Sequence, residues 1–209
     1  MKIWSDSFKA GEPIPARCAF ARPHPQTHVE LSDNKNPHLA WADLPADTKS
    51  LVLICHDADV PSKADDVNQE GKTVPAHLPR VDFYHWVLVD LPPSPAAIAE
   101  GEFSNGITPR GKPGPQGPRG TRQGVNNYTQ WFAGDDAMKG TYFGYDGPCP
   151  PWNDSIVHHY HFTLYAIDVP RCPVDGQFAG PDVGAAIGAG HILDQASIVG
   201  TYVMNPNVK

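Results

Sequence analysis

Proline and glycine punctuate this chain. There are 23 Pro and 19 Gly among 209 residues, spread between short apolar runs rather than gathered in one tail. Both residues interrupt regular elements, so this spacing points to many strands joined by tight turns. Three runs read as strands: Ser50 to Asp57 (SLVLICHD), Tyr84 to Leu91 (YHWVLVDL) and His159 to Asp168 (HYHFTLYAID). The first two have continuous apolar centres, as in strands buried on both faces. The third places Tyr160, Phe162, Leu164 and Ala166 on one face at period two. A helix is expected from Pro181 within GPDVGAAIGAGHIL, with Val183, Ala186, Ile187 and Gly190 on its apolar side, and a last strand in QASIVGTYVMN.

The length suits one mainly β domain over 1–209. Polar stretches at about 63–82 and 100–140 read as excursions from its sheet core. Within the second, Gly111, Gly114, Gly117 and Gly120 recur every third residue. That is collagen's spacing, but a triple helix needs long arrays and three chains, so a polyproline-like surface loop is expected. Sixteen Lys plus Arg stand against 23 Asp plus Glu, a formal net charge of -7. With no basic run, this argues against nucleic acid as a partner. The start, MKIWSDSFKAGEPIP, has no apolar stretch of signal-peptide length, and no later run approaches membrane-spanning length, so a cytoplasmic location is expected. Cys18, Cys55, Cys149 and Cys172 are scattered, with no Cys-x-x-Cys pair, and read as reduced thiols. No cofactor is expected.

Polar groups collect at three strand ends. In CHDADVPS, Asp57 and Asp59 stand two apart and face one side if the strand continues through them; Pro61 then stops regular pairing. Asp57 can orient or charge a histidine, with His85 the first candidate, while Asp59 ties the loop by accepting backbone N–H groups. An Asx-turn explains both carboxylates equally well. In SIVHHYHF, alternation separates His158 and Tyr160 from His159 and His161. A metal site would use His159 and His161 with a third ligand from elsewhere. An anion pocket would use His158 and Tyr160 as donors, beside backbone N–H groups of the Gly147-Pro148 turn. The histidines also fit plain strand positions, and spacing leaves all three readings open. G-x-S-x-G, a glycine-rich loop with Lys-Ser or Lys-Thr, and H-E-x-x-H are absent from the sequence. Cys149, in PCPP, has no basic neighbour to lower its pKa and reads as a packed thiol.

In order along the chain, DADVPS, HWVLVDLPPS, GYDGPCPPWNDSIVHHYHFTLYAID and GHILDQASIVGTY resemble the motifs of the phosphatidylethanolamine-binding protein family, and more closely its bacterial, Raf kinase inhibitor-like branch. The resemblance covers most of the chain. It implies a two-sheet antiparallel β-sandwich with a few peripheral helices, one near the C-terminus, and a small pocket for phosphate-like anions at one end. Carried over residue by residue, it puts Asp57, Asp59 and Pro61 in one wall, His85 in a second, and Gly147, Pro148, His158 and Tyr160 in a third. Ala58 and Val60 depart from the family's proline and alanine, and His159 stands where the family has arginine, which removes a fixed positive charge.

The function this implies is binding of a small anion, such as phosphate or phosphoethanolamine, with a regulatory role and no catalysis of its own. Asp57 would raise the pKa of a pocket histidine, so binding is expected to weaken as pH rises past neutrality. Two alternatives are an interaction protein that inhibits a kinase or protease, and a metal-dependent hydrolase built on His159 and His161. The partners expected are the anion, a protein target and, as one arrangement, a second copy in a homodimer.

Overall fold

A computed structural model describes residues 1–208. Among them the chain forms β1 (Lys2–Trp4), β2 (Ala21–His24), β3 (His28–Leu31), β4 (Leu39–Ala42), β5 (Ser50–Pro61), β6 (Arg80–Leu91), β7 (Ala97–Ile98), β8 (Arg122–Gln123), β9 (His158–Ile167) and β10 (Ile192–Tyr202). Helices α1 (Tyr128–Trp131) and α2 (Gly180–Gly188) complete the set. A five-stranded sheet runs β10-β9-β5-β6-β8, a three-stranded sheet runs β1-β4-β7, and β2 and β3 pair as a hairpin. All of these pairings are antiparallel. The architecture is the mainly β, two-sheet arrangement that the sequence implies.

The continuous apolar centres of β5 and β6 have a direct cause: both faces of the large sheet are covered. Leu51, Leu53 and Cys55 of β5 join Trp86 and Leu88 of β6 and Phe162 and Leu164 of β9 in one core, against Leu39, Trp41 and Ile98 of the small sheet. Val52, Ile54, Val87 and Val89 point the other way and are covered by Cys172, Val174 and Phe178 and by Val183 and Ile187 of α2. Period-two alternation therefore deals side chains into two dry layers. Helix α2 opens with a proline in its first turn, as expected, but ends at Gly188, so Gly190 lies beyond it with φ +111°.

Three boundaries differ from expectation. β6 begins at Arg80, four residues early, because polar Arg80 and Asp82 break the apolar pattern, while Arg80 and Val81 still pair with Pro61 and Val60 at the end of β5. β10 likewise starts at Ile192, and β5 runs on to Pro61, opposite Arg80. The 106–124 glycine-proline stretch is tied to the body rather than lying loose on its surface. Gln123 N–H donates to the Pro115 carbonyl at 2.6 Å, and β8 completes the edge of the large sheet. At Gly114 even a Cβ would lie 2.3 Å from the Phe143 ring, so only glycine fits there.

Candidate functional site

The ends of β5, β6 and β9 meet at one point. Asp57 lies opposite Phe83 on β6 and Tyr160 on β9, and all three face the main core side of the sheet. Between the pairs Cys55–Trp86 and His56–Tyr84 the register slips by one, leaving His85 as the extra residue of a β-bulge. A bulge re-aims a side chain. It puts His85 on the same side as Trp86, with its ring 4.9 Å from Phe83, 5.1 Å from Tyr160 and 5.6 Å from Tyr128.

These groups floor a cavity of about 60 Å³. Asp57, His85 and Tyr160 supply the polar groups of that floor. Its rim and walls are Val60, Pro61, Ala64, Val67 and Asn68 on one side, Phe83, Tyr128 and Trp131 on another, and Cys149, Pro150 and Pro151 on the third. Both polar excursions thus contribute: 63–82 brings the apolar Ala64 and Val67, and 100–140 brings α1 with Tyr128 and Trp131. The glycine-proline stretch itself stays away from the cavity.

His85 is buried, and its Nδ1 sits 2.7 Å from the Asp146 carbonyl oxygen. A carbonyl only accepts, so Nδ1 carries the proton and the neutral ring turns the Nε2 lone pair outward. Burial pulls the His85 pKa below its ordinary value, against the raising influence of Asp57. The carbonyl that fixes this tautomer is held in turn. The Asp146 carboxylate accepts from Asn34 Nδ2 at 2.8 Å, Asn126 Nδ2 at 2.7 Å and Lys112 Nζ at 3.1 Å. The Tyr160 hydroxyl, fully buried, makes no hydrogen bond of normal geometry among the described residues; burial, and after it the nearby Asp57 carboxylate, raises its pKa and keeps it protonated.

His158 does something other than expected. Its Nδ1 donates to Asp57 Oδ2 at 2.7 Å and its Nε2 to Asp154 Oδ2 at 3.1 Å, so both ring nitrogens are spent inside the protein. It does not line the cavity. Burial pulls its pKa down, but the bonds and charges of Asp154 and Asp57 outweigh this and raise it to about 9. Burial pushes both carboxylates up, yet His158, joined at Asp154 by Arg80, holds them below the usual range. Arg80 clasps Asp154 with Nη1 to Oδ2 at 2.6 Å and Nη2 to Oδ1 at 3.1 Å. The result is a buried row of alternating charge, Asp57, His158, Asp154, Arg80.

Of the residues singled out in the sequence, Asp57, Pro61, His85 and Tyr160 line the cavity. Asp59, Gly147, Pro148 and His158 do not. Asp57 orients His158 rather than His85. The register shift between Asp57 and Val60 turns Asp59 aside, where it ties the loop by accepting from His159 N at 2.9 Å and its Nδ1 at 2.8 Å. The Gly147 N–H is already given to Asn34 Oδ1 at 2.8 Å. A Cβ on Gly147 would lie 2.2 Å from the Cys18 carbonyl, so close backbone packing, not anion contact, explains the glycine. Pro148 has no N–H, and its carbonyl accepts from Phe20 N at 2.9 Å.

His161 stacks on His56 at 5.1 Å on the opposite face of the sheet, while Asp59 holds His159. Among the described residues, three or more His, Cys, Asp or Glu side chains nowhere converge as a metal ion would require. Cys149 does reach the cavity, but burial raises its pKa to about 12, keeping it a thiol. Sequence reasoning missed Phe83, Tyr128, Trp131, Asp154, Arg80 and Asp146. Asp146 and Asp154 left a signal, as acids within the same motif as His158.

Comparison with known proteins gives the family and the fold. Residues 4–203 match the family model described as phosphatidylethanolamine-binding protein. The chain is 30% identical to the UPF0098 protein YbhB of Escherichia coli K12, over 97% of this chain and 99% of that one. It is 32% identical to a UPF0098 protein of Methanothermobacter thermautotrophicus, over 85% and 89%. Among solved structures, a phosphatidylethanolamine-binding protein homolog, CT736 of Chlamydia trachomatis, superposes with TM-score 0.61 at 26% identity, covering 96% of this chain and 95% of its own. E. coli YbcL shares the fold with TM-score 0.67 at 23% identity, covering 97% of each chain. Among the described residues no helix is long and apolar enough to cross a membrane. With a family match spanning nearly the whole chain and the strand ends assembled around one cavity, the chain belongs to the phosphatidylethanolamine-binding protein family.

Proposed function

We propose that the protein binds a small anion, phosphate or a phosphorylated head group, on Tyr160 and His85, and acts by occupancy in a regulatory role rather than by catalysis of its own. The observation that carries this is the Tyr160 hydroxyl, which is buried, unpartnered among the described residues and part of the cavity floor. A buried donor left unmade costs about 1–3 kcal/mol, a cost that an incoming acceptor removes. The absence of an activated nucleophile at Cys149 supports the non-catalytic part.

Tyr160→Phe then has two effects of opposite sign. Anion affinity falls by about tenfold or more, the value of one hydrogen bond to a charged acceptor. The free protein, relieved of an unsatisfied hydroxyl, unfolds at an equal or higher temperature. Calorimetric titration with phosphate and phosphoethanolamine at pH 5.5, paired with thermal melts, reads both. Unchanged affinity would remove Tyr160 from the ligand's donors.

His85 supplies the charge. As it stands in the free protein, its outward lone pair repels an oxyanion, so binding requires a proton on Nε2. Protons are therefore taken up on binding. Titrations at pH 7 in two buffers of different ionisation heat should give observed enthalpies that differ in proportion. Identical enthalpies would mean that His85 stays neutral and gives the anion no donor.

A further inference from the structure

The charged groups at and behind the cavity floor already have their counter-charges. Asp57 and Asp154 face His158 and Arg80, and Asp146 faces Lys112 at 3.1 Å. Among the described residues neither Lys nor Arg lines the cavity. The groups that face His85 are Asp57 from β5, the rings of Phe83, Tyr160 and Tyr128, and the Asp146 carbonyl, with the Lys112-paired Asp146 carboxylate and His158 behind them. Among the described residues, the one positive charge that the cavity lining can gain is therefore a proton on His85. One of its own floor groups, Asp57, is a carboxylate.

We infer that the cavity selects singly charged oxyanions carrying an apolar body, and discriminates against the doubly ionised form of phosphate monoesters; this rests on the binding function proposed above. A monoanion is neutralised by the one imidazolium. A dianion keeps an unmatched charge inside a low-dielectric site, next to Asp57, where no counter-ion is in reach. The walls fit the apolar body: Phe83, Val67 and Trp131 rise above the floor, and Trp131 is 48% exposed at the rim. A monoester must then bind as its hydrogen-bearing monoanion. Above its second ionisation near pH 6 it pays for a proton on itself as well as for one on His85.

Phenyl phosphate and methyl phenyl phosphate separate the two costs by calorimetric titration of the full chain between pH 6 and 8. The diester, singly charged throughout, should lose up to about tenfold in association constant per pH unit as His85 alone titrates. The monoester should lose up to about a hundredfold per unit, because two protons are then required. A monoester curve no steeper than one proton, or one that rises as the second proton leaves, overturns the charge selection whatever the diester does. If neither probe binds at pH 5, where both are singly charged, the binding function itself fails and the selection with it.

Discussion

Replacing Asp154 by alanine should cost about 3–5 kcal/mol of folding stability, the usual consequence of removing one member of a buried ionic set and leaving its partners in place. Asp154 is 1% exposed, and two cations depend on it. His158 loses the acceptor of its Nε2 bond. Arg80, with a side chain only 12% exposed, keeps just the carbonyl oxygens of Asp59 and Pro75. The chain between β5 and β6 stays tied beside this aspartate by backbone bonds, Val74 N to the Asn153 carbonyl and Ser155 N to the Val74 carbonyl, so the loss falls on the side-chain bonds alone. For a chain of this length the melting temperature should drop by about 2–4 °C for each kcal/mol. Arg80→Met combined with Asp154→Leu should be less harmful than Asp154→Ala alone, because no unpaired guanidinium stays buried; His158 then lacks one acceptor and the Asp59 and Pro75 carbonyls each lack a donor. Urea unfolding of the three proteins measures this. A loss under about 1 kcal/mol for Asp154→Ala would mean that the row of charges behaves like solvated surface groups.

The part of the molecule legible in the sequence is the part governed by apolar periodicity. LVLIC and WVLV read as doubly buried strands because α2 and the 172–178 segment cover one sheet face and the small sheet covers the other. Alternation in HHYH separated the inward His158 and Tyr160 from the outward His159 and His161, and the burial of these four residues follows that split. What periodicity could not carry was the partner of each inward group. His158 is spent because Asp154 folds back onto it, which depends on the path of a loop. His85 faces the cavity because of a bulge, and a one-residue slip leaves no trace in an apolar pattern. Tyr128 and Trp131 arrive on a helix of only four residues inside a polar segment, too short for any helical pattern to register. Arg80, far away in sequence, joins His158 through Asp154, a pairing that no local spacing announces.

The two inward-facing histidines should leave opposite signatures in pH. His158 is held at about 9 in the folded protein, against an unperturbed 6.5. A group whose folded pKa is raised contributes stability that is fully present below pH 6.5 and is lost as pH climbs through about 9. Over that window the loss is about 3 kcal/mol, most of it before pH 8.5. His85, lowered by burial, acts on the acid side, removing stability as pH falls below 6.5. Asp57 and Asp154, also lowered, do the same further down, below their ordinary range. The thiols raised by burial, Cys18, Cys55, Cys149 and Cys172, add to the alkaline loss as pH approaches the ordinary thiol value, about 8.5–9. Between pH 6.5 and 8.5, then, the larger part of the decline belongs to His158. Denaturant titrations at those two values should differ by about 2–3 kcal/mol in the wild type. His158→Gln, lower in absolute stability, should keep only the smaller share of that difference, about 1 kcal/mol, which the buried thiols supply. A wild-type curve that stays level across the window would mean that His158 is neutral between its two carboxylates. The row from Asp57 to Arg80 would then carry a net negative charge, and the electroneutral floor on which monoanion selection depends would be lost.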